Sequence, residues 1–232
     1  MIGRWRAVLF DLDGTLIDSA PDLAGAANDM RIARGLVPLA YDRLRPMVGS
    51  GARGMVGAAF HCVPGDPEFE PLRDEFLARY EARSVQDTRV FDGMTAVLDA
   101  LDAAGLAWGI VTNKIERYTV PVVRALGLSH RAGVIVSGDT TPHAKPHPAP
   151  LLEAARRLGV APGDCVYVGD DLRDVTAGRA AGMATLAAAW GYLGVGDGVQ
   201  TWGADAVVGR PADLLPLLSA PLPELLKSVR VD

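Results

Sequence analysis

Four stretches of this chain hold side chains whose types and spacing could do chemistry: Asp11-Leu12-Asp13-Gly14-Thr15, Thr112-Asn113, Lys145-Pro146, and Gly169-Asp170-Asp171 with Asp174 three residues on. Three of them stand where a short apolar run gives out, so a fold that aligns those runs would gather their polar residues at one edge. Carboxylates gathered in one crevice repel each other unless a cation sits among them. An all-oxygen ligand set with positions to spare favours Mg²⁺, which takes one or two carboxylates and leaves room for water and a substrate phosphate. A lysine and a threonine beside that metal would complete a site for the equatorial oxygens of a phosphoryl group. The chemistry on offer is phosphoryl transfer.

Each stretch has a plainer reading when taken alone. Asp-Gly is a turn, Lys-Pro a solvated loop and Thr112 a strand-end turn residue. Asp170, Asp171 and Asp174 would favour a helix start by complementing its dipole. Their joint occurrence outweighs these separate readings. His143 and His147 flank Lys145, but two proline-broken histidines in a loop read as solvated and not as a metal pair.

The elements that must position these residues are legible in the hydrophobic pattern. Ala7–Phe10 reads as a buried strand breaking into a loop. From Ser19 the texture turns helical: Ser19 can cap, Pro21 suits a first turn, and Leu23, Ala26, Ala27 and Met30 keep helical spacing. Helical patches continue at Asp42–Met47, Ala52–Phe60 and Glu68–Arg83, and no strand signal appears from Asp18 to about Thr88. Beyond Phe91 strands and helices alternate. Strands are predicted at Leu106–Val111, Gly133–Val136, Cys165–Val168, Ala184–Ala188 and Ala206–Val208. Helices are predicted at Thr95–Ala104, Arg117–Leu126, Pro148–Leu158 and Val175–Ala181, closed by Gly105, Gly127, Gly159 and Gly182. Alternation of this kind predicts an α/β protein: a Rossmann-like parallel sheet with helices on both faces. Ligands in such sheets bind beyond the carboxyl ends of the strands. The segregated helices imply an inserted all-helical module, with residues 1–17 and 89–232 forming the core and 18–88 the insertion.

Composition narrows the class. With 49% hydrophobic and 22% charged residues among 232, the chain can build a core and is not disordered. A net charge of −5 argues against nucleic acid or an anionic membrane as partner. No apolar run approaches the roughly 18 residues of a membrane span. The N-terminus has no signal-like apolar stretch, since Asp11 stops Val8–Phe10 at once. Two cysteines about 100 residues apart, Cys62 and Cys165, support neither a disulfide framework nor a zinc site. The expectation is a soluble cytoplasmic protein, with its oligomeric state left open.

Asp-x-Asp-Gly-Thr, the strand ending in Thr112, Lys145 before Pro146, and Gly-Asp-x-x-x-Asp at 169–174 resemble, in order, the motifs of the haloacid dehalogenase-like hydrolase superfamily. They frame nearly the whole chain. The resemblance implies that Asp11 is a nucleophile forming an aspartyl phosphate, and that Asp13 protonates the leaving oxygen and then activates water. It implies that Thr112 and the Asn113 backbone N–H hold phosphate oxygens while Lys145 neutralises nucleophile and phosphate. Asp11, the Asp13 carbonyl and Asp170 would bind Mg²⁺, supported by Asp171 and Asp174. The name-giving dehalogenases lack the second aspartate, so Asp13 argues for phosphoryl transfer.

A helical insertion between the first two motifs resembles the cap of the phosphoglycolate phosphatase branch. Gly51–Val56, Trp108–Lys114, Val168–Asp174 and Trp202–Asp205 are closer still to enzymes acting on N-acetylmuramate 6-phosphate in cell-wall recycling. The expected partner is therefore a small phosphorylated metabolite. Gly49-Ser50-Gly51-Ala52-Arg53-Gly54 satisfies the dinucleotide pattern Gly-x-Gly-x-x-Gly, but no strand signal precedes it. It looks instead like a cap loop over the substrate, with Arg53 placed to meet a carboxylate, or else a solvated helix-start arginine. A phosphosugar mutase would share the phosphatase motifs. A phosphoaspartate receiver would gather similar acids without needing the insertion.

Overall fold

The computed structural model describes residues 5–194 and 196–219. The chain opens with strand β1 (Ala7–Phe10) and a two-residue strand β2 (Ile17–Asp18). A helical run follows: α1 (Ala20–Ala33), α2 (Tyr41–Leu44), a 3-10 turn over Arg45–Ser50, α3 (Gly51–Phe60) and α4 (Phe69–Arg83). Strand β3 (Arg89–Val90) then pairs antiparallel with β2, so the insertion leaves and returns through one short ribbon. Alternation resumes with α5 (Met94–Ala103), β4 (Ala107–Val111), α6 (Glu116–Ala125), β5 (Val134–Val136), α7 (Ala149–Leu158), β6 (Cys165–Gly169), α8 (Leu172–Ala180), β7 (Ala184–Ala188), β8 (Ala206–Val208) and α9 (Leu214–Ser219).

Six strands form one parallel sheet in the order β5-β4-β1-β6-β7-β8. Successive residues of its central strands feed opposite faces, as a period of two requires. Val8, Phe10, Trp108, Ile110, Val166 and Val168 pack on one side with α5, α6 and α9. Ala7, Leu9, Cys165 and Tyr167 pack on the other with α7 and α8. Coverage of both faces explains why these strands read as continuous apolar runs. Chain order reverses at β1, whose neighbours β4 and β6 lead away in opposite directions, and a crevice opens there at the carboxyl ends.

The helical run has a core of its own, built from α1, α3 and α4 around Met30, Met55, Phe76 and Tyr80, with Tyr118 and Tyr192 reaching in from the sheet side. Fully buried Asp22 on α1 accepts hydrogen bonds from the Thr88 amide (2.9 Å) and hydroxyl (2.7 Å), tying the start of the insertion to its end. Among the described residues no helix is long and apolar enough to cross a membrane. Cys62 and Cys165 are both free and buried.

Three expectations change. The helix expected over Asp42–Met47 is α-helical only to Leu44 and tightens to 3-10 from Arg45, where Pro46 removes a backbone donor. The β2–β3 ribbon went unread because two residues carry no alternation. Ser19 does occupy the N-cap of α1, but its side chain makes no capping bond. Pro21 at N2 has no amide hydrogen to offer it, and Tyr192 Oη instead accepts from the Ser19 and Ala20 amides at 2.8 and 3.0 Å. The glycines expected to close α5, α6, α7 and α8 all sit at positive φ. The Gly49–Gly54 stretch begins inside a 3-10 turn and runs into α3, so it lacks the strand a dinucleotide fingerprint needs.

Candidate active site

The crevice holds a cavity of about 410 Å³ whose lining joins the strand ends to the helical insertion. Asp11, Asp13, Thr112, Asn113, Lys145, Asp170, Asp171 and Asp174 all line it, coming from the loops after β1, β4 and β6, from the segment before α7 and, for Asp174, from the first turn of α8. Pairing of β1 with both β4 and β6 sets this convergence, because register brings Phe10 level with Ile110 and with Val168. Arg53 does not join them. It is exposed on the first turn of α3 and is not among the lining residues, although Gly51 and Ala52 before it are. Its exposed place there is that of the solvated helix-start arginine.

Lys145 organises the floor. Its side chain is 2% exposed, and Nζ lies 2.9 Å from Asp11 Oδ1 and 2.7 Å from Asp174 Oδ1. It also donates to the Tyr167 hydroxyl at 2.7 Å and the Val111 carbonyl at 3.0 Å. Burial works against its charge, but Asp11 and Asp174 outweigh that and raise its pKa. The Asn113 side chain clamps the lysine's main chain from both sides, accepting from Lys145 N and donating to Lys145 O, each at 2.9 Å. Thr112 Oγ1 accepts from the Lys114 amide, which leaves the hydroxyl hydrogen to serve a ligand.

Asp11, Asp170 and Asp174 each bring a carboxylate oxygen within 4.8 Å of the others. Three acids against one lysine leave a negative excess in a buried place. Burial first, with Asp174 adding repulsion and Lys145 opposing both, pushes Asp11 up to about 7. Burial and then the charges of Asp11 and Asp174 push Asp170 well above the ordinary range. Asp11 Oδ1 is buried and makes no hydrogen bond, its approach to Lys145 being an ion pair out of line for one. An orphaned oxygen within an all-carboxylate set fits a hard divalent cation.

The partners of the other acids differ. Asp170 accepts from Thr15 Oγ1 at 2.8 Å and from the Tyr192 amide at 2.9 Å. Asp171 caps α8 in a capping box with Asp174, and Arg173 grips its carboxylate at 2.8 Å. Burial opposes the Asp171 charge, and Arg173 more than offsets it, holding the carboxyl below its ordinary value. Asp171 and Asp174 thus start a helix and line the cavity at once. Arg173 also donates to the Gly49 carbonyl, linking α8 to the turn before α3. Arg45 makes a second link, donating to the carbonyls of Gly191 and Trp190 at 3.0 and 3.1 Å.

Asp13 stands apart from the acidic triad. Lys114 Nζ donates to both its oxygens, at 2.7 and 2.8 Å, and Ser19 Oγ to Oδ1. Burial opposes the Lys114 ammonium, but Asp13 prevails and pushes its pKa up.

A family model for the haloacid dehalogenase-like hydrolases matches residues 8–188. The chain belongs to that family. An N-acetylmuramic acid 6-phosphate phosphatase from Pseudomonas aeruginosa is 45% identical over 219 residues, which are 94% of this chain and 97% of the relative. A phosphoglycolate phosphatase from Xylella fastidiosa is 48% identical over 206 residues, 89% of this chain and 90% of the relative. Among solved structures, a predicted phosphoglycolate phosphatase from Haemophilus somnus superposes with a TM-score of 0.82 at 27% identity, covering 94% of this chain and 99% of that one. The enzyme class of this haloacid dehalogenase-like hydrolase is that of the phosphatases.

Five cavity or near-cavity residues of this hydrolase were not picked out by its motifs: Ser19, Tyr80, Lys114, Tyr167 and Arg173. Ser19, Lys114 and Arg173 each adjoin a motif, and their polarity beside buried acids was a signal that adjacency alone offers. Tyr80 and Tyr167 offered none, because a tyrosine in an apolar pattern reads as core.

Proposed function

We propose that the chain is a Mg²⁺-dependent phosphatase that hydrolyses N-acetylmuramate 6-phosphate through an aspartyl phosphate on Asp11. The observation that carries this reading is the shape and polarity of the cavity. Its floor holds Asp11, Asp13, Thr112 and Lys145, while Leu23, Val48, Phe76, Leu77, Ile115 and Tyr118 make the wall opposite apolar. About 410 Å³ is far more than phosphoglycolate fills, whereas an acylated hexose phosphate suits both the volume and, through its methyl groups, the wall.

In the proposed reaction an Asp11 oxygen attacks phosphorus, and the phosphorus–ester oxygen bond breaks as the new bond forms. Asp13 gives its proton to the leaving oxygen. Water then attacks the same phosphorus with Asp13 as base, the bond to Asp11 breaks, and inorganic phosphate departs. The Thr112 hydroxyl and the Asn113 backbone N–H hold phosphoryl oxygens, and Lys145 keeps Asp11 and the phosphoryl group from repelling each other. Asp11, Asp170 and the Asp13 main-chain carbonyl are the proposed holders of Mg²⁺, with Asp171 and Asp174 in support. When bound, the ion stabilises charge that develops on the phosphoryl oxygens. Residues 18–88 act as a cap that excludes water while the ester breaks.

Purified protein with Mg²⁺ should release phosphate from N-acetylmuramate 6-phosphate, and excess chelator should abolish that release. Asp11→Asn should give no covalent phosphoenzyme. Asp13→Asn should form one from an activated aryl phosphate and lose it slowly. Covalent labelling of Asp11→Asn at this position would overturn the assignment. Phosphoglycolate is the second reading, favoured by relatives of that name at 48% identity. The ratio of kcat/KM for the two esters decides between them.

A further inference from the structure

Lys114 and Tyr80 meet in the cavity from opposite halves of the molecule, Lys114 from the loop after β4 and Tyr80 from α4 of the insertion. Lys114 Nζ has three protons and directs two interactions to the Asp13 carboxylate. It also lies 4.9 Å from the centre of the Tyr80 ring. Tyr80 is 2% exposed, yet its hydroxyl makes no well-formed hydrogen bond among the described residues, with the Lys114 ammonium as its polar neighbour. A hydroxyl so poorly partnered at this depth is a standing cost unless a ligand supplies the bond. Burial first, eased by Lys114, raises the pKa of that phenol, so it meets a ligand as a neutral donor and acceptor.

We propose that Tyr80 and Lys114 form a specificity pair for an oxygen acceptor on the carbon adjacent to the one bearing the phosphate. The argument rests on the phosphatase reading, because it takes Asp13 as the group that touches the leaving oxygen. Lys114 grips Asp13, so whatever Lys114 and Tyr80 contact lies just beyond that oxygen, on the second carbon from it, with the acceptor atom three bonds away. The ring oxygen of a hexose 6-phosphate and the carboxylate of a 2-phosphoglycolate both stand at this spacing. The core motifs see only the phosphoryl group and cannot tell such esters from a plain alkyl phosphate. The pair also couples recognition to the insertion, since an acceptor held by both residues bridges α4 to the sheet edge.

The test compares Tyr80→Phe with the parent on four esters: N-acetylmuramate 6-phosphate, glycerol 1-phosphate, 2-phosphoglycolate and propyl phosphate, the last lacking the acceptor. The variant should lose about fivefold or more in kcat/KM on the preferred acceptor-bearing ester beyond any loss on propyl phosphate. Its Tm should hold or rise, because a buried hydroxyl without a well-formed hydrogen bond has only its desolvation to lose. Equal losses on all four esters, or a lower Tm with unchanged preference, would overturn the proposal and leave the phosphatase reading intact. Inactivity of the parent on every ester would remove that reading and the proposal together. Lys114→Gln identifies the acceptor's charge: a larger loss on 2-phosphoglycolate than on glycerol 1-phosphate marks a carboxylate. Similar losses on these two, both exceeding that on propyl phosphate, mark a neutral oxygen. No excess over propyl phosphate on either ester removes Lys114 from the pair.

Discussion

A Cβ added to Gly14 would stand 2.1 Å from Asp170 Oδ2, so the first loop closes over the carboxylate after β6 only because residue 14 has no side chain. Gly14 also holds φ at +90°, where L side chains are strained. Asp170 cannot yield, since Thr15 and the Tyr192 amide fix its two oxygens. Gly14→Ala should therefore destabilise the fold by about 2–5 kcal/mol, from backbone strain and overpacking together. Displacing Asp170 should also weaken Mg²⁺ binding by about 10- to 100-fold. Denaturant melts and a magnesium titration of the refolded variant measure the two effects separately.

Lys145→Met removes the ammonium that bridges the buried pair Asp11 and Asp174. Leaving buried carboxylates unpaired should cost about 3–5 kcal/mol. Activity should fall by at least about a hundredfold, the scale for losing a charge placed at a reacting oxyanion. Mg²⁺ should then raise Tm more in the variant than in the parent, because the ion supplies the missing positive charge. Equal rises would show that lysine and metal act on different carboxylates.

The acidic triad predicts a pH dependence whose sign is fixed by burial. Asp11 is raised from 3.8 to about 7, and Asp170 is raised as well, so the folded state holds protons that the unfolded chain has released. Stability of the metal-free protein should accordingly fall as pH climbs through the window from about 4 to about 7. Differential scanning calorimetry without divalent cations should give a lower Tm at pH 8 than at pH 5. Added Mg²⁺ should raise Tm more at pH 8, since cation and proton compete for the same oxygens. A metal-free Tm that rises over this interval would contradict the raised values.

Two arginines near the cavity should behave differently. Arg173 grips Asp171 and reaches the Gly49 carbonyl. Arg173→Ala should raise KM severalfold by loosening the contact between α8 and the turn before α3. Its partly exposed ion pair, screened by solvent, should contribute only about 1 kcal/mol or less to stability. Arg53→Ala, at an exposed position outside the cavity, should change kcat/KM by less than about twofold on every ester. Steady-state kinetics on one acceptor-bearing and one plain ester cover both variants.

Much of this molecule was legible in the amino-acid sequence. Buried parallel strands must be apolar on both faces, so β1, β4, β6 and β7 announce themselves as short apolar runs, and glycines mark the helix ends between them. Asp11, Asp13, Thr112, Lys145 and Asp170 were legible because each follows or precedes such an element and because their types make chemical sense only together. The shortest elements were not legible: β2 and β3 are two residues each, and α2 gives way to a 3-10 turn at Pro46.

Partnership is what the sequence left undetermined. Ser19 carries every mark of a helix cap, yet its hydroxyl serves Asp13, while Tyr192, 173 residues away, accepts from the Ser19 and Ala20 amides. Arg53 and Arg173 are alike as residue types, and what separates them is that Arg173 lines the cavity and grips Asp171 while Arg53 is exposed. Asn113 was read through its backbone, while its side chain holds the Lys145 main chain in place. Residue types and their order determine which elements form and which acids gather, because those depend on local propensity and on the strand order of a parallel sheet. Which donor finds which acceptor is decided by distances between elements far apart in the chain, and those exist only once the helices have packed.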